Sequence, residues 1–322
     1  MAAGSLPANK SAMADMTIRP LPLPEFHLLL RRPGADGAHQ PTAADSPRHL
    51  DGFYLEPTDA AVRAFGTGIP PTRFQFYFIG LVHRSRATCT TGLASFPVGP
   101  RVAFFVPPEQ IHSSRNWSTR DRGHALSFTE AFFVENLADK STLRRSPIFQ
   151  WDRSPFLTLS AAEDDALRHA FDALAAEWAR RPAHSLPALR LLLQLVVARL
   201  EEAAHRRAAP GTQLDANARL YERFRRALEN DFRAEKSPAA YATRLGVHPN
   251  HLATAVRAAS GLPPGEWIRA RIVLEAQCLL ANTTRAVKEI AAELGYVDEA
   301  YFSRLFKKTV GLSPRDYQSG AA

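Results

Sequence analysis

Cysteine is scarce in this chain of 322 residues, which has only Cys89 and Cys278. They fall in stretches of different character, so a disulfide framework is excluded and a reducing compartment fits. Cys278 lies among Ala276, Leu279 and Leu280, where it reads as a small buried hydrophobe. Long apolar runs are missing too, and none reaches the ~20 residues of a membrane span. Met1 to Ala14 lacks the apolar core of a signal peptide and reads as a disordered lead, with Met13 or Met16 as alternative starts. A cytoplasmic protein with no membrane contact is expected.

Catalytic motifs are equally sparse. No nucleophile stands beside a base, and no Gly-rich phosphate loop is present. Gly66-Thr-Gly68 is too short for one and falls in a loop. A divalent metal needs three or four N/O ligands, whereas His83, His112 and His124 are single and scattered. The expectation is a protein that is not an enzyme, with no catalytic residues, no metal and no cofactor.

What is present is a soluble globular composition, 45% hydrophobic and 22% charged, with length for two domains. Forty Lys and Arg against 32 Asp and Glu give a net charge of +8. About +5 of that excess falls in residues 216–318, a basic third that favours a polyanionic partner.

Residues 1–50, rich in Pro, Ala and Gly, read as a flexible arm, with Phe26–Leu30 a single strand or clasp. Residues 52–134 read as mostly β. One strand is expected over 73–81, then short runs at 86–91, 92–96, 101–106 and 123–128, separated by Pro and Gly. That spacing suits a barrel or a sandwich. Ser160 and Glu163 form a capping-box pattern that opens a helix. A second helix covers 186–206. Its centre, Leu191 to Val197, is apolar nearly all round, which implies burial on more than one face, one of them against a second subunit. Residues 207–214 read as a linker.

The last third carries a near-repeat. Tyr241-Ala-Thr-Arg-Leu-Gly-Val247 returns as Ile290-Ala-Ala-Glu-Leu-Gly-Tyr296. Each copy precedes a second short amphipathic run, closed at Gly261 and Pro264 in one and at Gly311 and Pro314 in the other. Short helix, tight Gly turn and second short helix spell a helix-turn-helix. The units are expected at about 237–258 and 287–308, joined by a helix over about 264–281. At 1.5 Å per residue that helix spans roughly 27 Å. A stiff spacer would set the reading helices about one duplex turn, ~34 Å, apart.

A reading helix puts its outer face against base edges. The candidates are Asn250, Ala253, Thr254 and Arg257 in the first unit, with Leu252 and Val256 inward. In the second they are Glu299, Ala300, Ser303, Arg304 and Lys307, with Tyr301, Leu305 and Phe306 as core and a phosphate contact as the alternative for Tyr301. Arg304 has the fork that matches guanine, and Asn250 can pair with adenine. Arg257, Lys307 and Lys308 suit phosphates, and Glu299 suits cytosine N4.

Residues 215–318 resemble the DNA-binding domain of the AraC/XylS regulators. The matching residues are Ala242-Thr-Arg-Leu-Gly, His251-Leu252, the Arg271–Leu280 helix, Ile290 to Tyr296, and Tyr301-Phe-Ser-Arg-Leu-Phe-Lys-Lys-Thr-Val-Gly-Leu-Ser-Pro314. Ala286 departs from the pattern, standing where relatives have a Ser cap. Upstream, Phe76 to Gly80, Phe104 to His112 and Gly123 to Phe132 resemble, more weakly, the cupin-type barrel that precedes this domain in many members.

The resemblance implies an α+β multidomain chain. A cupin-like β-barrel over 51–158 would bind an effector, and a helical dimerisation element would cover 159–206. An all-α domain with two helix-turn-helix units would occupy 215–322. It also implies a ligand-responsive transcription regulator, usually an activator. Its partners would be double-stranded DNA, a small-molecule effector, a second copy bound through 186–206, and RNA polymerase. Phe76, Phe104, His112, Trp117 and His124 are the candidate effector-pocket residues. The rival readings are a constitutive binder whose barrel only dimerises, and a cupin-type enzyme fused to a DNA domain.

Overall fold

The computed structural model describes residues 52–180, 185–207 and 215–320. The expected arm at 1–50 and all of the expected linker except Arg207 lie outside the described residues.

The N-terminal half is built from strands β1 (Phe53–Pro57), β2 (Ile69–Arg73), β3 (Tyr77–Arg84), β4 (Ala87–Thr91), β5 (Ala94–Val98), β6 (Val102–Val106), β7 (Ile111–Arg115), β8 (Arg122–Phe128) and β9 (Phe156–Thr158). They form two antiparallel sheets, ordered β1-β8-β3-β6-β9 and β2-β7-β4-β5. No strand pairs across from one sheet to the other among the described residues, so the expected closed barrel is an open two-sheet sandwich. The edges account for part of this. β2 carries Pro70 and Pro71 and β5 carries Pro97, residues that lack the N–H needed to extend a ladder.

The single strand expected over 73–81 is broken. Phe74, Gln75 and Phe76 turn the chain from one sheet to the other, with the Phe74 and Phe76 rings stacked at 4.7 Å. A short helix α1 (Thr58–Phe65) follows β1, in a stretch read as β. At 8 residues it is too short to display a helical period.

β3 and β6 are buried along nearly their whole length because the first sheet is covered on both faces. Phe78, Val82, Phe104 and Val106 point toward the second sheet. Ile79, Leu81, Ala103 and Phe105 point toward helices α3 (Ala161–Ala179) and α4 (Leu186–Arg207), which follow the short α2 (Glu130–Val134). The Ser160–Glu163 capping box forms as expected. On α4, Leu189, Leu193, Val196, Val197 and Leu200 face this core, while Leu191 and Leu195 are 60% and 42% exposed.

The C-terminal half is all helix: α5 (Ala216–Asp231), α6 (Pro238–Arg244), α7 (Pro249–Ser260), α8 (Pro264–Asn282), α9 (Val287–Glu293), α10 (Glu299–Val310) and α11 (Pro314–Gln318). α8 is 19 residues long, roughly 28 Å. It runs through the middle of this half and is buried almost continuously from Arg271 to Leu280.

Candidate nucleic-acid interface

The repeat has a local physical cause. After α6, Gly246 adopts φ +70°, its N–H bonds the Thr243 carbonyl at 3.1 Å, and the Val247 N–H bonds the Ala242 carbonyl at 3.0 Å. After α9, Gly295 adopts φ +79°, its N–H bonds Ala292 at 3.0 Å, and Tyr296 bonds Ala291 at 2.9 Å. Both are Schellman closures, in which a left-handed glycine lets the chain satisfy the last carbonyls of a helix and turn sharply. Gly295 is needed for a second reason. A Cβ there would stand 2.3 Å from the Arg233 carbonyl oxygen of the α5–α6 connection.

The caps also correspond. Ser237 accepts from the Ala240 N–H, with Pro238 in the first turn of α6. Ala286 supplies no side-chain cap to α9. Glu289 provides half of a box by accepting from the Ala286 N–H at 3.2 Å. His248 Nδ1 accepts from Asn250 at the start of α7, and Asp298 from Ala300 at the start of α10. Both second helices are 12 residues long and both end on a left-handed glycine, Gly261 and Gly311.

Each second helix has one buried and one open face. On α7, Leu252, Ala255 and Val256 are buried, and Asn250, Ala253, Thr254 and Arg257 are exposed. On α10, Phe302 and Phe306 are fully buried, and Ala300, Arg304, Lys307 and Lys308 are exposed, with Glu299 and Ser303 half-buried. Arg304 lies 4.0 Å from Asp298, both well exposed. Tyr301, expected in the core, is 53% exposed; Phe302 takes the inner position instead. The heptad-like spacing of Phe302 and Phe306, one turn apart, was the signal for that. Val297, in the turn before α10, is fully exposed and was not singled out from the sequence.

A second feature lies between the sheets. A cavity of about 50 Å³ is walled by Glu56, Phe78, Gly80, Phe104, His112, Ser114 and Trp117, and closed by Val62 of α1 and Ile69 of β2. Of the five candidate pocket residues, Phe104, His112, Trp117 and His124 border it. Phe76 belongs to the surrounding core and does not. The His124 ring turns to the helical side and stacks on Phe171 of α3 at 5.2 Å. Phe104 fits against Gly80 because no Cβ intervenes; one would meet the ring at 2.0 Å. His112 is fully buried, its Nδ1 paired with the Thr91 hydroxyl at 3.0 Å. Burial pushes its pKa down to about 3, so the imidazole is neutral.

Glu56 was missed from the sequence. Its side chain is buried and Tyr54 donates to its Oε2 at 3.0 Å, while Oε1 has no partner. Burial raises its carboxyl to about 8. Nothing local marks it, because whether a strand carboxylate faces water or a cavity is decided by the second sheet. Among the described residues no group of three or more His, Cys, Asp or Glu is placed to hold a metal ion.

The two halves meet along α8. Arg73 at the end of β2 bonds Glu275 at 2.6 Å, and Glu275, 1% exposed, also holds Arg271 at 2.9 Å and Arg233 at 2.5 Å. Burial alone would raise the Glu275 carboxyl, but the guanidinium groups of Arg271, Arg73 and Arg233 outweigh it and hold it below the ordinary value. Arg271 also pairs with Glu229 at 2.8 Å and lies on the Phe232 ring at 3.9 Å. Nearby, Asn282 donates to the Pro71 carbonyl at 2.7 Å, and Ile111 of β7 packs with Leu274 and Cys278 of α8. Cys278 is thus a free buried thiol at the join of the two halves.

Residues 241–320 match the family described as "Helix-turn-helix domain". The arabinose operon regulatory protein of Salmonella typhimurium is 29% identical over 82 residues, 26% of this chain and 29% of that one. The HTH-type transcriptional activator RhaR of Yersinia pseudotuberculosis is 27% identical over 128 residues, 40% of this chain and 43% of that one. The matches therefore span less than half the length of these relatives. Among solved structures, ToxT from Vibrio cholerae aligns over 83% of this chain and 98% of its own, at 13% identity and a TM-score of 0.41. With the Schellman-closed repeat and its two open helix faces, the sequence matches identify residues 241–320 as a helix-turn-helix domain, similar to parts of the arabinose operon regulatory protein and of RhaR.

Proposed function

We propose that this protein is a transcription regulator that binds specific double-stranded DNA and whose grip is set by a small molecule held between its sheets. The observation that carries the reading is the repeat in three dimensions. Two identically closed helix-turn-helix units share one buried helix, and each leaves an exposed, partly basic second helix.

In this reading Arg304 and Asn250 read base edges, and Thr254 and Ser303 add shorter contacts. Arg257, Lys307 and Lys308 hold phosphates, which fix register without reading sequence. Glu299 accepts from cytosine N4 and penalises misplacement by repelling phosphate. Activation is the expected sign, and one relative is itself named a transcriptional activator.

A physical route for regulation exists in the strand alternation of β7. His112 and Ser114 border the cavity, and Ile111, on the other side of the strand, packs on Leu274 and Cys278 of α8. β2 likewise gives Ile69 to the cavity and Arg73 to Glu275. A ligand that moves these two strands shifts what α8 is docked against. Only a ligand that binds the two arrangements unequally can do this. A homodimer through 186–206 would use the exposed Leu191 and Leu195, one helical turn apart, and would bring four reading helices to two half-sites.

The test is selection of bound sequences from a random duplex pool with the wild type and with Arg304→Ala. The variant is expected to lose preference at one base pair, at a cost of ~1–3 kcal/mol. An unchanged preference would reject the assignment.

A further inference from the structure

We propose that the inter-sheet cavity selects a small, uncharged, largely apolar molecule that offers a hydroxyl to Glu56, and that it rejects carboxylates. This rests on the reading of the cavity as the effector site and adds the chemical class of the occupant.

At about 50 Å³ the cavity is several times larger than the roughly 10–15 Å³ that one ordered water requires. It is about a third of the ~150 Å³ of a dry cavity that holds benzene, so a ring-sized probe enters only by parting the sheets. Its walls are mostly apolar: Val62, Ile69, Phe78, Phe104 and Trp117. Apolar walls with a few convergent polar atoms are the usual make-up of a small-molecule site. A polyol such as a sugar would leave most of its hydroxyls unpaired against these walls.

Three buried polar atoms of lining residues lack partners. Glu56 Oε1 and His124 Nδ1 are on the first sheet and Ser114 Oγ is on the second. Buried polar groups are rarely left unpaired, and each exception calls for an explanation such as a ligand or ordered water. Among the described residues that line the cavity there is no Lys or Arg. A carboxylate would therefore be desolvated with no cation to meet it, and would face Glu56. The charged groups nearest Glu56 are Asp59 and Arg63 of α1, which pair with each other at 2.9 Å, and Tyr54 holds Oε2 from β1. At neutral pH the Glu56 carboxyl, raised by burial, is mostly protonated, so it can both donate to and accept from a hydroxyl. Loss of that hydroxyl leaves a buried donor and acceptor unpaired, which is how polar sites discriminate strongly between ligands of equal size.

The experiment is titration calorimetry of the full chain with phenol, toluene, benzoate and benzylamine, for the wild type and for Glu56→Gln and Glu56→Met. Phenol is expected to bind the wild type about tenfold tighter than toluene. Benzoate is expected to show no binding. Glu56→Gln, which keeps a donor and an acceptor, should retain the preference for phenol, and Glu56→Met should erase it. Tighter binding of benzoate or benzylamine than of phenol would overturn the class, as would phenol and toluene binding alike. No heat from any probe would overturn the site itself. If Glu56→Met does not fold, the Glu56→Gln comparison and the four wild-type titrations still decide. A second readout separates the two levels of argument. Phenol that binds without altering DNA affinity leaves the ligand class standing and removes the regulatory reading.

Discussion

Substituting Glu275→Gln keeps the shape of the side chain and removes its charge from the junction of the two halves. The wild-type carboxylate is 1% exposed and contacts three guanidinium groups. Removing one partner of a buried ion pair costs about 3–5 kcal/mol, because the other charge stays behind unpaired. Two details place the expected loss near the low end, about 3 kcal/mol. Arg271, only 6% exposed, keeps Glu229 at 2.8 Å. Arg233 is 45% exposed and can turn to water. Arg73→Ala removes the one member supplied by the N-terminal half. It should cost about 1.5–3 kcal/mol, the usual range for a hydrogen bond to a charged group. The two changes share a contact, so their sum should exceed the loss in the double variant. Arg269→Ala is the control. It breaks an exposed pair with Glu266, both about half accessible, and should cost under about 1 kcal/mol. Urea unfolding followed by circular dichroism and by tryptophan fluorescence measures all four. In Arg73→Ala the two signals should also separate, since each half then unfolds with less reference to the other. A loss below about 1 kcal/mol in Glu275→Gln would refute the argument, because it would mean the network is solvated and does not tie the halves together.

Acid stability isolates His112. Its pKa is about 3 when folded and 6.5 ordinarily, so between those values the unfolded chain carries one more proton and stability must rise with pH. The slope is at most about 1.4 kcal/mol per pH unit. Glu56 opposes it, since its raised pKa makes stability fall as pH rises from 4.5 toward 8. The wild type minus His112→Gln difference across pH 4.5–6.5 should therefore carry the His112 slope alone, and a flat difference in thermal unfolding would contradict the burial argument. At the other end of the N-terminal half, Leu195→Glu puts a charge on the open face of α4 without touching its core. Sedimentation equilibrium should show a dimeric wild type and a monomeric variant; equal association in both would remove α4 as the subunit contact.

What could be read in the sequence followed from short-range chemistry. A glycine that permits positive φ, an N-cap and an amphipathic period act within a few residues, so the two units, their caps and most open positions on α7 and α10 were legible. Tyr301 was misjudged because adjacent aromatics, Tyr301 and Phe302, compete for one inward position, and the neighbouring helices decide between them. The ring of Tyr301 ends 5.9 Å from Tyr296 at the surface while Phe302 fills the core. The N-terminal half was less legible. α1 and β7 are short, the stretch Phe74–Phe76 has strand composition yet forms a corner, and the pairing of distant strands produced a sandwich where a barrel was expected.

Sequence alone determined the double helix-turn-helix, because each of its signals is local and is repeated. Tertiary structure alone decided Glu56 and Glu275. Both are carboxylates in ordinary-looking stretches, one made special by a facing sheet and the other by arginines 4, 42 and 202 residues away, the last two outside its own helix. Their chemistry comes from desolvation and from charges brought in by chain segments remote in sequence, and no local pattern encodes that.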